Sequence, residues 1–203
     1  MGPKMSALDR ILLLATGVLA AFQIIVGIDN LSALPIWAYT TAFGILLLAG
    51  ILLIIIGFDV LDSPAVVVVS TLIPLSLSLG LVWEHIPAWQ VPYLIFVAIG
   101  FLAVAFSRAI PIPGKLSTFV LALVHGIAGL VIFLLPLGLV IQGNVPAGFA
   151  LVGVGGALIG LGGLLLAFLK AGRPVLSREK ILTVLPGLLL LMTAAFVGGF
   201  AFI

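Results

Sequence analysis

Residues 36–58 read IWAYTTAFGILLLAGILLIIIGF, a stretch of 23 residues without a charged side chain. A helix rises about 1.5 Å per residue, so this stretch is long enough to cross the roughly 30 Å hydrocarbon core of a bilayer. A membrane-barrel strand would alternate apolar and polar residues, and this stretch does not. It therefore predicts a transmembrane helix.

Six further apolar runs accompany this one along the chain. The seven predicted helices cover about 10–28, 36–58, 64–83, 92–107, 116–141, 147–169 and 181–203. Of the 203 residues, 64% are hydrophobic and 7% are charged, whereas a soluble domain has about a quarter charged. The breaks are too short for an extramembrane domain. We expect an all-α integral membrane protein whose residues 1–203 form a single polytopic domain.

The basic residues and the Trp and Tyr residues lie at opposite ends of the predicted helices. All eight Lys and Arg residues lie in the N-terminal segment or in the breaks after helices four and six: Lys4, Arg10, Arg108, Lys115, Lys170, Arg173, Arg178 and Lys180. All five Trp and Tyr residues lie at the other helix ends: Trp37, Tyr39, Trp83, Trp89 and Tyr93. Because basic residues in short loops stay cytoplasmic and amphipathic rings favour the headgroup level, we expect a cytoplasmic N-terminus and an outer C-terminus.

The same residues indicate the surroundings of the protein. We expect the cell membrane, as an inner or plasma membrane of prokaryotic type. The net charge of +2 indicates anchoring to lipid headgroups rather than nucleic-acid binding, so bound lipid is an expected partner. The chain has no Cys, which excludes disulfides and cysteine-ligated metals.

A weak internal repeat is visible at an offset near 110 residues. The matching pairs are Pro35 and Pro146, Gly44 and Gly155, Pro64 and Pro174, and Pro74 and Pro186. Helices one to three would then correspond to helices five to seven in the same orientation, with helix four as a linker, which is a parallel 3+1+3 repeat. The alternative is that such matches arise by chance in a chain rich in Leu, Gly, Ala and Pro.

Small residues recur on one face of the sixth predicted helix. They are Gly156, Gly160, Gly163 and Ala167, spaced three or four residues apart. Such a stripe lets another helix backbone approach closely, so we expect it to pack against other helices of this chain, another copy or a partner subunit. The alternative is a flat cofactor or a lipid lying against this face.

His125 is the candidate cofactor ligand. It lies within the fifth predicted helix in the run His-Gly-Ile-Ala-Gly, residues 125–129. An imidazole beside a bare helix surface can serve as the axial ligand of a haem or chlorophyll-like ring. The other histidine, His85, lies at the far end of helix three, so we expect at most one axially ligated ring. The alternatives are a hydrogen bond to a neighbouring helix and a contact with a partner or substrate.

Helix three carries a second group of polar residues. Ser70, Thr71, Ser76 and Ser78 surround Pro74, and Pro186 interrupts helix seven closer to the cytoplasmic side. These six residues would line the substrate path of a transporter. The alternative is that the hydroxyls repair the backbone where the proline removes a donor.

Two hypotheses of function follow. The first is a non-catalytic subunit that scaffolds a larger membrane complex of electron-transfer or light-harvesting type and holds one ring at His125. The second is an uncoupled transporter or facilitator of a small, weakly polar solute. We expect no enzyme and no metal site, because catalytic motifs are missing and Glu84 with His85 forms only a polar helix end. A lipid-facing enzyme at that pair is a more remote alternative.

Overall fold

The computed structural model describes residues 5–29, 31–110, 116–170 and 175–202. Within these ranges all regular structure is helical, and seven α-helices are long and apolar enough to cross a membrane. They are α1 (Ala7–Val26), α2 (Ala33–Ile56), α3 (Pro64–His85), α4 (Gln90–Ala109), α5 (Leu116–Ile141), α6 (Ala150–Lys170) and α7 (Arg178–Phe200). Short 3₁₀ helices cover Phe58–Asp62, Pro87–Trp89 and Ala147–Phe149. The predicted all-α class with seven such helices is confirmed.

Several helix ends differ from the predicted ones because polar residues belong to the helices. Ser6 caps α1: its hydroxyl accepts a hydrogen bond from the Asp9 amide, and the Asp9 carboxylate accepts one from the Ser6 amide. Ser177 caps α7 by accepting from the Lys180 amide. These caps start the helices at residues 7 and 178 rather than 10 and 181. Gly57, at φ 87°, ends α2 before the apolar run stops.

Six of the helices form a closed ring. The order of neighbours is α1, α2, α3, α5, α6, α7 and back to α1. The remaining helix, α4, stands outside this ring and packs against α3 and α5. Helices consecutive in the chain run antiparallel; for example, Gly155 of α6 lies against Phe196 of α7, and Gly162 lies against Leu188.

Apolar side chains from all six ring helices fill the middle of the ring. The largest of them, Phe43 and Phe196, are fully buried, as is Phe149 of the 3₁₀ helix that precedes α6. A smaller cluster joins α1, α2 and α7 through Leu13, Leu53 and Leu182. The interior is therefore mainly apolar, with a few buried hydroxyl side chains such as those of Thr71, Ser78 and Thr193.

The two ends of the bundle differ in chemistry. At the basic end, Arg178 of α7 forms an ion pair of 2.8 Å with Asp62, and Arg10 and Arg108 lie in the terminal turns of α1 and α4. Lys4, Lys115 and Arg173 lie outside the described residues. At the aromatic end, the rings of Tyr39, His85, Phe149 and Phe200 pack together, with centroids 4.6–6.4 Å apart between neighbours.

Candidate functional site

The interface between α5 and α6 is tight toward the aromatic end. A β-carbon at Gly156 would stand 2.8 Å from the Ile132 carbonyl carbon, and one at Gly153 would stand 2.9 Å from the Phe133 carbonyl oxygen. Only glycine leaves room for such backbone contacts. Gly156, the first member of the predicted stripe, therefore packs against a helix of its own chain.

The same interface is open toward the basic end. Gly160 and Gly163 follow Gly156 on the same face of α6, and no atom lies within 4 Å of the β-carbon position of either. The helices run antiparallel, so these glycines lie at the level of residues 125–129 of α5. Gly126 and Gly129 there are equally open. We use the name glycine crevice for this surface region, on which Gly126 and Gly163 are exposed and His125, Gly129 and Gly160 are half-buried. Ala167 lies in α6, but its side chain falls outside what is described.

His125 lies on α5 at the level of the glycine crevice. It is half-buried and lies on the same helix face as Ala128 and Ile132, which are fully buried in the interior. Its Nδ1 atom is buried and makes no hydrogen bond within the described ranges, although the Leu121 carbonyl one turn earlier lies near the ring. The antiparallel alignment thus places the lone histidine of α5 and the open glycines of α6 at one level of the bundle, although they are far apart in sequence.

Chemically, the glycine crevice can offer one imidazole ligand beside flat, side-chain-free helix surfaces. An axial imidazole usually has its second nitrogen near a carbonyl, which fixes the tautomer and leaves the first nitrogen to bind. The second histidine lies elsewhere: the ring of His85 packs against Phe149 at the aromatic end, 5.6 Å between centroids. Among the described residues, no group of three His, Cys, Asp or Glu side chains could hold a metal ion by itself.

Ser70, Thr71 and Ser78 of α3 hydrogen-bond to their own helix. Ser70 and Thr71 donate to the Val67 carbonyl at 3.0 and 2.8 Å, and Ser78 donates to the Pro74 carbonyl at 2.7 Å. These bonds do not reach the Ser70 carbonyl, the acceptor that Pro74 leaves without its usual donor. Ser76 and Pro74 are buried, as is Pro186 in α7. The hydroxyl hydrogens named here are therefore already in use within α3.

The five Trp and Tyr residues differ in exposure, and Trp83 is partly buried against the cluster of Leu79, Val82 and Tyr93. Trp37 and Trp89 are 73% and 60% exposed, as expected of rings at the rim of a bundle. Tyr39 and Tyr93 are instead buried, at 3% and 8%. Tyr39 is buried because Gly80 of α3 leaves space for its ring, which would stand 2.5 Å from a β-carbon there.

These two tyrosines were missed as site candidates. Their hydroxyls are buried without a hydrogen bond in the described part of the chain, and so is the Nε2 atom of His85. Three unpartnered polar atoms thus lie toward the aromatic end. Nothing in the local sequence of either tyrosine distinguishes it from a rim residue, since the burial depends on distant partners. Comparison of the chain with family models, with curated proteins and with solved structures found no match.

Proposed function

We propose that this chain is a non-catalytic integral membrane subunit that scaffolds a larger complex of electron-transfer or light-harvesting type. One haem or chlorophyll-like ring would sit in the glycine crevice with His125 as its axial ligand. The observation that carries the proposal is that His125 lies at the same level of the bundle as Gly126, Gly129, Gly160 and Gly163, whose β-carbon positions are all open.

In this proposal the seven helices span a cell membrane of prokaryotic inner or plasma type. The N-terminus is cytoplasmic and the C-terminus lies outside. The basic end carries the Arg178–Asp62 ion pair, and the opposite end exposes Trp37 and Trp89, a distribution that favours this orientation. Residues 1–203 act as one membrane domain surrounded by lipid.

The scaffold role is supported by the filled interior. Phe43 and Phe196 occupy the middle of the ring, and Ser70, Thr71 and Ser78 donate within α3. Such a body holds its neighbours and its ring in place rather than opening a polar path. Without a ring, Gly160 and Gly163 would instead leave room for a close helix from a partner subunit or a second copy.

The test is purification of the tagged chain from its source membrane in mild detergent, with mass and visible absorption read together. We expect an assembly larger than the 21.0 kDa chain with an absorption band of a tetrapyrrole. His125→Ala should remove that band, whereas the matched variant His85→Ala should keep it. A colourless particle of this chain alone would overturn the proposal, and a band that survives His125→Ala would overturn the ligand.

A second candidate, a facilitator of a small weakly polar solute, is favoured by the order of helices. Exchanging α1 with α5, α2 with α6 and α3 with α7 leaves the order of neighbours around the ring unchanged, as a parallel 3+1+3 repeat requires. Pro74 is the eleventh residue of α3 and Pro186 the ninth of α7. Counted from the observed helix starts, the two prolines therefore lie at more similar depths than when they are counted from the predicted starts at residues 64 and 181.

Uptake into liposomes tests this alternative. Facilitated uptake of a solute that Pro74→Ala or Pro186→Ala abolishes would favour transport. Pro136→Ala is the matched control, since Pro136 is also a buried proline inside a helix. Equal uptake by empty liposomes and by the wild-type chain, for every solute offered, would exclude it.

A further inference from the structure

A groove of about 420 Å³ lies between α4 and α5, with α3 as its floor. Its lining includes Val82, Ile86, Trp89, Tyr93, Phe96 and Ile127. We call it the tail groove. Toward the basic end α4 and α5 are in contact, and Val124 stands 3.3 Å from the β-carbon position of Gly100. Toward the aromatic end they separate, and Ile127, 37% exposed, stands at the opening to the surroundings.

One buried polar atom interrupts this apolar lining. The hydroxyl of Tyr93 is buried and makes no hydrogen bond in the part of the chain that is described. The Ser78 hydroxyl lies near it but outside hydrogen-bonding geometry, and it donates its own hydrogen to the Pro74 carbonyl. A buried donor without an acceptor is costly, so an occupant that supplies an acceptor would be stabilised here.

The position of the tail groove indicates the kind of occupant. Tyr93 lies in the first turn of α4, and Trp89 stands exposed just before it, where an interfacial ring marks the headgroup level. In a phospholipid, the ester carbonyls join the headgroup region to the acyl chains. A carbonyl at the level of Tyr93 would therefore place its chain along Phe96 and Ile127.

We propose that the tail groove holds one acyl chain of an outer-leaflet phospholipid, whose ester carbonyl accepts a hydrogen bond from Tyr93. This inference rests on the membrane placement proposed above, but on neither the ring nor the partner subunits. The groove is a contact for lipid that stays with the protein, unlike the exchanging lipid around the remaining surface.

The test counts phospholipid that the isolated chain retains through washes in mild detergent, by native mass spectrometry. We expect one phospholipid per chain for the wild type. Ile127→Trp should fill the groove and lower retention about tenfold or more, equivalent to roughly 1.4 kcal/mol. Leu130→Trp, on the same helix but outside the lining, is the matched control and should retain the lipid. Tyr93→Phe should lower retention about two- to tenfold, the effect of one hydrogen bond.

Circular dichroism and a monodisperse elution profile establish that each variant is folded. Folded wild type without retained lipid, or equal retention by Ile127→Trp and Leu130→Trp, would overturn the proposal. A retained isoprenoid lipid instead of a phospholipid would overturn the assignment of the occupant. A colourless, solitary chain that keeps one phospholipid would refute the proposed scaffold function and support the tail groove.

Discussion

At the tight end of the α5–α6 interface, Gly153 and Gly156 lie directly against the α5 backbone. One and two turns further along the same face, Gly160 and Gly163 have no atom within 4 Å of their β-carbon positions. The four residues are chemically identical and belong to one helix. The difference teaches that a stripe of glycines marks a face, whereas the angle between the helices decides which of them are in contact.

Among the substitutions that test this difference between the glycines, Gly156→Leu is expected to have the largest effect. The new side chain would overlap Ile132 and the neighbouring amide of Phe133, each 2.8 Å from the β-carbon position, so α5 and α6 must separate. We expect the free energy of unfolding to fall by about 3 kcal/mol or more. Thermal unfolding in detergent, followed by circular dichroism, measures this.

Gly163→Leu is the matched control for that substitution. Its β-carbon position is open, so the stability of the isolated chain should change by less than about 0.5 kcal/mol. If the glycine crevice holds a ring, the same variant should lose the visible absorption without losing stability. Equal destabilisation by Gly156→Leu and Gly163→Leu would contradict the division of the interface.

A middle-sized effect is expected from Gly80→Ala, which tests whether close glycine packing extends to α2 and α3. The added methyl group would stand 2.5 Å from the Tyr39 ring, which is buried and cannot move freely. We expect a loss of about 1–3 kcal/mol. Tyr39→Leu in the same chain should recover part of it, because the smaller side chain relieves the overlap. An additive double-mutant cycle would show that the two residues do not contact.

The smallest effect is expected at the basic end, from the ion pair between Arg178 and Asp62. Their side chains are 44% and 57% exposed, so water and salt screen the attraction. A double-mutant cycle with Arg178→Ala and Asp62→Ala should give a coupling of about 0–1 kcal/mol that decreases in high salt. A coupling well above that range would mean that the basic end is more rigid than its exposure indicates.

The existence of all seven helices could be predicted from the sequence, because each contains a long run without internal charge. The ends of the helices were harder to predict from the sequence. The first turn of α1 includes Asp9 and Arg10, and that of α7 includes Arg178 and Lys180, so apolar runs begin after the helices do. Capping by Ser6 and Ser177 is the local signal that places these starts.

The candidate site could be predicted only in pieces. The spacing of Gly156, Gly160 and Gly163 identifies one face of α6, and His125 stands out as the one ionisable residue of α5. Their common level in the bundle depends on the antiparallel alignment of two helices, which no local pattern specifies. The burial of Tyr39 depends in the same way on Gly80, which lies on another helix.

The closed ring also has a consequence for the order in which the chain can fold. α1 is synthesised before the other helices, but one of its two neighbours in the ring, α7, follows all of them in the sequence. Until α7 arrives, Leu13 lacks the contact that Leu182 supplies. In every other pair of ring neighbours, the two helices are consecutive in the chain or separated only by α4. The seam between α1 and α7 is therefore the last to close during synthesis, and an incomplete chain would present the exposed side of α1 to chaperones and membrane proteases.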